Sequence, residues 1–182
     1  MTFLQTPLPL AELIERFTSW LTATFAGFFA FIQAAGSTMM NGTVETLLII
    51  PPLIFIILLS IIIYFVSNKK IGLTSFAFIG LLFVLNQGLW INLINTLTLV
   101  IVATIISVIL GIPLGIWMSK SERAQEVITP ILDFMQTMPS FVYLIPAVAF
   151  FGIGMVPGVF ASVIFALPPT VRFTNLGIRQ IP

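Results

Sequence analysis

The segment from Asp133 to Gly154, DFMQTMPSFVYLIPAVAFFGIG, is long and apolar enough to cross a bilayer as a helix. It differs from a simple anchoring helix because prolines interrupt it, at Pro139 and Pro146, and polar side chains such as Gln136 and Ser140 occupy its first half. In a membrane, such residues usually face protein or water rather than lipid. The segment therefore predicts a span that packs inside a helical bundle or borders a polar cavity.

The composition of the whole chain also indicates a membrane protein. Of its 182 residues, 59% are hydrophobic and only 7% are charged, whereas an ordinary soluble domain carries about 25% charged residues. The formal net charge of +1 gives no reason to expect nucleic acid as a partner. We therefore expect an all-α membrane protein that is surrounded by the lipid bilayer.

Several kinds of chemistry lack the residues they need. The sequence contains no cysteine and no histidine, which excludes disulfides, thiolate or imidazole metal sites and a Ser-His-Asp triad. It also contains no phosphate-binding motif of the form GxxxxGK[ST]. We expect no cofactor, no metal and no catalytic residue in this chain, and therefore not an enzyme.

Hydrophobic periodicity divides the chain into an N-terminal helix and five transmembrane spans. Residues 1–36 are predicted as an amphipathic interfacial helix that ends near Gly36, with a sixth span as the alternative. Residues 47–90 are predicted as a peripheral hairpin of two spans, and residues 91–182 as the first part of a core domain. The five spans are predicted at residues 47–67, 71–90, 92–119, 131–151 and 155–170.

Prolines and charged residues set the predicted ends of these spans. Pro51 and Pro52 kink the first span or delay its regular start, and Pro168 and Pro169 stop the fifth. Residues 120–129 are the most charged segment and are predicted as a loop or a short surface helix.

The third span carries a stripe of small or polar residues along one side. The stripe consists of Asn92, Thr96, Ala103, Ser107, Gly111 and Gly115. The pattern Gly111-x-x-x-Gly115 favours close approach of a neighbouring helix, for which we expect the fourth span. Pro113 offers a kink, and the alternative is that glycine and proline only shape the helix. The predicted packing or hinge positions are Gly111, Pro113, Gly115, Pro139 and Pro146.

Basic residues give the predicted orientation through the positive-inside rule. If the loop after the first span is cytoplasmic, six of the seven basic residues are cytoplasmic, and only Arg16 lies outside. The six are Lys69, Lys70, Lys120, Arg123, Arg172 and Arg179. We therefore expect a multi-pass plasma-membrane protein with its N-terminus outside and its C-terminus in the cytoplasm.

The fourth span has one polar face if it is a continuous helix. With steps of 100° from Asp133, the residues Gln136, Thr137 and Ser140 lie within about 60° of it, Tyr143 lies at the edge and Phe151 returns to the centre. One interpretation is a path for a polar solute. The other is a packing face in which Asp133 pairs with Lys120 or Arg123.

Two segments resemble a known family. They are NLINTLTLVIVATIISVILGIPLGIWMSKS (Asn92 to Ser121) and PILDFMQTMPSFVYLIPAVAFFGIGMVPGVFASVIFALPPTVRFTNLGIRQIP (Pro130 to Pro182). They resemble the permease subunit of binding-protein-dependent ABC importers, in the glycine betaine/proline betaine branch. The part DFMQTMPSFVYLIP is long and specific, and the resemblance is strong from about Gln87 onward.

The resemblance implies the partners of a complete importer. Two permease subunits form the pathway, two cytoplasmic ATPase subunits bind ATP and Mg, and an external solute-binding protein or a fused domain delivers the solute. The family also has a cytoplasmic coupling loop, whose start corresponds here to Asn175, Gly177 and Arg179. Because the sequence ends at Pro182, before that motif, we expect the family's chain to continue with at least one more span.

The implied function is osmoregulatory uptake of glycine betaine or a related quaternary-ammonium osmoprotectant. Aromatic faces bind such groups, which suggests Phe141, Tyr143, Phe150 and Phe151, although the strongest aromatic cage is expected on the binding protein. The translocation-path candidates are Asp133, Gln136, Thr137, Ser140, Phe141, Tyr143 and Phe151. An importer for choline, carnitine or an amino acid is one alternative, and an ATP-independent channel or structural protein is another.

Overall fold

The computed structural model describes residues 10–180, without the side chains of residues 10, 11 and 140, and this part of the chain is helical with no strand. The eight helices are α1 Leu10–Thr24, α2 Ala26–Leu48, α3 Pro52–Val66, α4 Ile71–Asn86, α5 Trp90–Lys120, α6 Glu122–Thr137, α7 Ser140–Phe151 and α8 Met155–Arg179. The predicted all-α class is confirmed. The predicted third span, residues 92–119, is confirmed as α5 with two more residues at its start and one at its end.

The N-terminal helix does not end at Gly36. A bend of 72° after Thr24 separates α1 from α2, and α2 continues to Leu48. Gly36 lies inside α2, where a Cβ atom would be only 3.0 Å from Cγ2 of Val156. The prediction was wrong because this glycine permits close packing against α8 rather than ending a helix.

The first two predicted spans form a hairpin in which α3 packs against α4. As predicted, the proline pair delays the first helix, which begins at Pro52, a position that favours proline because its missing N–H has no helical acceptor there. At 1.5 Å per residue, α3 and α4 rise about 22 and 24 Å. The flanking residues Leu47 and Trp90 belong to the neighbouring helices and pack around the fully buried Ile56.

Helices α5 and α8 form the centre of the structure and run parallel. Leu99 of α5 lies beside Gly158 of α8, and further along both helices Gly115 lies beside Thr174. Pro168 and Pro169 lie inside α8 and do not stop it, contrary to the prediction. Packing compensates for the backbone bonds that these prolines omit, since Pro168 is fully buried.

The predicted fourth span is two helices and not one. The charged segment after Lys120 is the start of α6, whose first turn is capped by the Ser121 hydroxyl accepting from the Ala124 N–H at 3.3 Å. Met138 then adopts an extended conformation, as residues before proline tend to do, and α7 begins at a bend of 94°. The helical steps that placed one polar face across Pro139 therefore do not apply.

By length and composition, α5 and α8 are each sufficient to cross a membrane, and up to four spans result if each bent pair, α1–α2 and α6–α7, counts as one. The predicted number of five is not confirmed. Because α5 and α8 are parallel, the chain must return across the membrane between them, and only α6 and α7 lie there. Many large apolar side chains are exposed on the outside of the bundle, such as Phe76 at 78% and Ile109 at 63%, as expected for contact with lipid.

Candidate functional site

A groove with a volume of about 410 Å³ lies between α5, α7 and α8. Its walls are mostly small or aromatic, and four of the five lining residues on α8 are small, namely Gly158, Ala161, Ser162 and Ala166. The lining residues are Leu99, Val100, Ala103, Thr104, Phe141, Leu144, Gly158, Ala161, Ser162, Phe165 and Ala166. This groove lies beside the central helix pair and is large enough for a small solute.

The polar groups of the groove are few. The Thr104 hydroxyl donates to the Val100 carbonyl at 2.7 Å, so its lone pairs remain able to accept, and Ser162 contributes a second hydroxyl. Pro169 has no N–H, so the carbonyl of the lining residue Phe165 lacks the hydrogen bond that a regular helix would give it. The site therefore combines apolar and aromatic walls with weak dipoles and no charged lining residue.

The close packing of α5 on α8 positions this groove. A Cβ atom on Gly111 would lie 2.7 Å from Cγ2 of Thr170, and one on Gly115 would lie 2.8 Å from the Val171 carbonyl oxygen. Both glycines therefore lie close to α8, whereas the sequence suggested the fourth span as their neighbour. Ala103 and Ser107 continue the same buried face.

Of the six predicted path residues whose side chains the structure describes, only Phe141 lines the groove, and it is 76% exposed. Gln136 and Thr137 are exposed at the end of α6, before the break, and neither is a lining residue. The side chain of Ser140 lies outside the described part of the structure. The groove therefore does not use the polar face that the sequence suggested.

The side chain of Tyr143 is bonded to the backbone of α6. Its hydroxyl donates to the Met135 carbonyl at 3.1 Å, with a longer contact of 3.4 Å to the Phe134 carbonyl. These carbonyls belong to the last turn of α6, where helical acceptors lack N–H partners. Tyr143 therefore joins α7 to the end of α6 across the break.

Phe151 is only 5% exposed and belongs to an aromatic cluster away from the groove. Its ring meets Phe29 edge-on with centroids 5.6 Å apart, and Phe150 stacks on Phe29 at 4.9 Å. The prediction that Phe151 returns to the centre of a polar face was wrong, because α7 starts a new helix after Pro139. The cluster instead packs α7 against α2.

Asp133 pairs with Arg172 of α8 and not with Lys120 or Arg123. The predicted partners were close in sequence, whereas the observed one is 39 positions away. The pair is partly open, with the side chains of Arg172 and Asp133 exposed by 42% and 56%. Asp133 therefore holds α6 against α8.

The remaining hinge candidates are three prolines, of which two lie inside helices. Pro113 lies inside α5 and Pro146 inside α7, both exposed, whereas Pro139 marks the break before α7. Among the described residues, no group of three or more acidic, histidine or cysteine side chains is arranged to hold a metal.

Residues 107–182 match the family model described as "Binding-protein-dependent transport system inner membrane component". This part of the chain belongs to that family. The glycine betaine transport system permease protein OpuAB of Bacillus subtilis is 48% identical over 175 residues, covering 96% of this chain and 61% of that protein. The glycine betaine/carnitine transport permease protein GbuB of Listeria monocytogenes is 51% identical over 176 residues, covering 96% of this chain and 62% of that protein.

A more distant relative is the glycine betaine/proline betaine transport system permease protein ProW of Escherichia coli. It is 38% identical over 180 residues, covering 99% of this chain and 50% of that protein. The chain therefore spans about half to three fifths of the length of these transport-system permeases.

The residues predicted as the start of a coupling loop are helical in this family member. Asn175, Gly177 and Arg179 lie in the last turns of α8. Arg179 donates from Nε to Oδ1 of Asn175 at 3.1 Å and from Nη2 to the Met118 carbonyl at 3.1 Å. The second bond joins the C-terminal ends of α8 and α5, where the last carbonyls of α5 favour a cation.

Sequence reasoning missed most of the groove, including Thr104, Ser162 and Phe165. A signal did exist in α8, where Gly158, Ala161 and Ser162 recur at three- and four-residue spacing and predict a narrow helix face. That spacing gives no information on which helix faces it, so the groove between three helices was not foreseeable.

Proposed function

We propose that this chain belongs to the membrane-spanning subunit of an ATP-driven importer for glycine betaine or a related quaternary-ammonium osmoprotectant. The observation that carries the proposal is the identity of 48% and 51%, across 96% of the chain, to two permeases named for glycine betaine. In this importer, a second copy of the chain completes the pathway, and two cytoplasmic ATPase subunits bind ATP and Mg. An external solute-binding protein or a fused domain delivers the solute.

The groove fits a weak, transient site for such a solute. A quaternary ammonium donates no hydrogen bond and is attracted to aromatic faces, which Phe141 and Phe165 offer. The Ser162 hydroxyl is suited to donate to the carboxylate of a betaine, whereas the Thr104 hydroxyl already donates to the Val100 carbonyl and offers only lone pairs, which suit the positive ammonium end. A lining without a charged side chain favours release, which a transport path requires. Gln136, Thr137 and Ser140 remain candidates for the approach to the groove from the end of α6.

The proposed orientation places the C-terminal ends of α5 and α8 in the cytoplasm. Arg179 lies against the end of α5, so the basic residues Lys120 and Arg123 lie near the same end. Because the sequence lacks cysteine, single replacements test this cleanly. Glu122→Cys is expected to react with a membrane-impermeant maleimide only in inside-out vesicles, and Thr24→Cys only in intact cells. The reverse pattern overturns the orientation.

Uptake of labelled glycine betaine by the complete importer in proteoliposomes tests the function. We expect uptake that depends on enclosed or external ATP according to orientation, with carnitine, choline and proline as competitors. Uptake of another solute without betaine transport overturns the proposed substrate class. Betaine flux of equal rate without ATP supports a channel instead.

A matched pair of variants tests the groove itself. Thr104→Trp fills the groove, whereas Ile105→Trp places the same side chain at the next position, which is 53% exposed and outside the groove. We expect at least a tenfold loss of uptake for the first and less than a twofold change for the second, at equal complex assembly. Equal uptake by the two assembled variants contradicts the assignment of the groove.

A further inference from the structure

A second cavity, of about 260 Å³, lies where α2 packs on α5 and α8. Its lining includes Met39 and Met40 of α2, Val102 and Leu110 of α5, and Val159 and Val163 of α8. Every lining residue is apolar, and none is shared with the translocation groove. The two cavities therefore occupy different faces of the α5–α8 pair.

The inner wall of this cavity is closed to the surroundings, whereas its rim is open. Met40 is 1% exposed and Val102 is 5% exposed. At the rim, Met39 and Leu110 are each 48% exposed and Phe160 is 42% exposed. The cavity is thus a pocket that opens from the outer surface of a membrane-embedded bundle and reaches into its core.

Water is a poor occupant of such a pocket. A bound water needs two to four polar partners, and the lining side chains offer none. Protein interiors are packed without voids of this size, and an apolar cavity of about 150 Å³ already takes up a benzene molecule. An apolar occupant therefore suits the pocket better than water does, and in a bilayer the hydrocarbon of the lipid is the nearest source of one.

We propose that the acyl chain of a membrane phospholipid occupies this pocket and completes the packing of α2 against α5 and α8. Two methionines suit such an occupant, because their unbranched side chains adapt to a flexible hydrocarbon chain. Gly36 sets the approach of α2 on the opposite wall, where a Cβ atom would lie 3.0 Å from Val156. The proposal requires only that the chain lies in a bilayer, so it is independent of the transported solute.

Photocrosslinking of the complete importer tests the proposal. The complex is reconstituted in nanodiscs that contain phosphatidylglycerol with a diazirine near the end of one acyl chain, and labelled peptides are mapped by mass spectrometry. Lipid on the outer surface reaches exposed residues such as Phe76 but has no access to Met40. We therefore expect label on Met40 and Val102 at a yield similar to that of exposed positions.

Filling variants complete the experiment. Val163→Trp occupies the pocket and is expected to reduce the label on Met40 at least fivefold, whereas Ile164→Trp, at the next and non-lining position, leaves it unchanged. If Val163→Trp does not assemble, Val163→Leu is expected to give about a twofold reduction. Absence of label on Met40 in the wild-type complex, or label on Met40 in the Val163→Trp complex equal to that in the wild-type complex, overturns the proposal.

Discussion

Arg172 of α8 donates from Nη2 to the Asp133 carboxylate of α6. This ion pair links two helices that are separated in sequence by α7. The link lies near the end of α6, close to the turns where the Tyr143 hydroxyl meets the backbone of the same helix. Two contacts therefore hold the end of α6. The ion pair of Asp133 joins it to α8, and the hydrogen bond of Tyr143 joins it to α7. Both contacts stabilise the orientation of α6 and α7 beside the groove.

Reversal of its charges tests the ion pair. Asp133→Arg and Arg172→Asp are each expected to lower the free energy of unfolding by about 1 kcal/mol or less, since both side chains are partly open to solvent. The double variant is expected to recover most of the loss, because it restores opposite charges. Thermal unfolding of the complex in detergent measures the cycle. Strictly additive losses in the double variant contradict a direct pairing.

Removal of one hydroxyl tests the hydrogen bond between α7 and α6. Tyr143→Phe removes the donor to the Met135 carbonyl and is expected to lower stability by about 0.5–1.5 kcal/mol. The other tyrosine of the chain, Tyr64, makes no side-chain hydrogen bond within the described residues, so Tyr64→Phe serves as the control. Equal melting temperatures of the two variants argue that the Tyr143 hydroxyl contributes nothing.

One added methyl group tests the contact between the central helices. Gly115→Ala places a carbon 2.6 Å from the Thr174 Cβ and 2.8 Å from the Val171 carbonyl oxygen. The Thr174 side chain is held by its hydrogen bond to the Thr170 carbonyl, and the Val171 oxygen belongs to the backbone of α8, so neither atom moves easily. We expect a loss of about 1–3 kcal/mol from overpacking.

Gly80→Ala is the control for that substitution. Gly80 lies in α4 and a Cβ atom there meets nothing within 4 Å, so alanine is expected to be neutral or to stabilise the helix by up to about 1 kcal/mol. Melting temperatures in detergent compare the two variants. A tolerant Gly115→Ala contradicts the close parallel packing of α5 and α8.

Loss of one aromatic ring tests solute contact in the groove. Phe141→Ala is expected to raise the betaine concentration for half-maximal uptake by about 2- to 30-fold, since a cation–π contact is worth about 0.5–2 kcal/mol. Phe141→Trp is expected to retain affinity. Phe173→Ala removes a similarly exposed ring of α8 outside the groove and serves as the control. An equal effect of both alanine variants excludes a specific contact.

Sequence and structure agree where local pattern alone decides the outcome. The long apolar run of α5 and the spacing of Gly111 and Gly115 predict a span with a narrow face, and both are observed. The prolines show where this reasoning fails. Pro139 interrupts the helix, whereas Pro168 does not, although both omit a backbone hydrogen bond. Pro168 is buried against neighbouring helices, but Pro113 and Pro146 also lie inside helices and are exposed, so neither burial nor the local sequence distinguishes the prolines that a helix tolerates.

The candidate site was less predictable than the fold. A wheel drawn through Pro139 grouped Gln136, Ser140 and Phe151, but the bend assigns them to two helices that point in different directions. Thr104 and Ser162 line the same groove only because α5 packs against α8. Contacts between residues so distant in sequence depend on tertiary packing, and a single sequence gives no measure of it.

The shortness of α7 has a consequence for how the protein is made. With 12 residues, α7 is about 18 Å long and falls well short of the hydrocarbon thickness that a nascent segment needs for independent membrane insertion. The four apolar turns of α8 that follow the tight Gly152–Gly154 turn supply the missing hydrophobicity. Ribosome-bound chains that end before α8 should therefore leave α7 outside the lipid, and synthesis of α8 should draw both helices into the bilayer together as one hairpin.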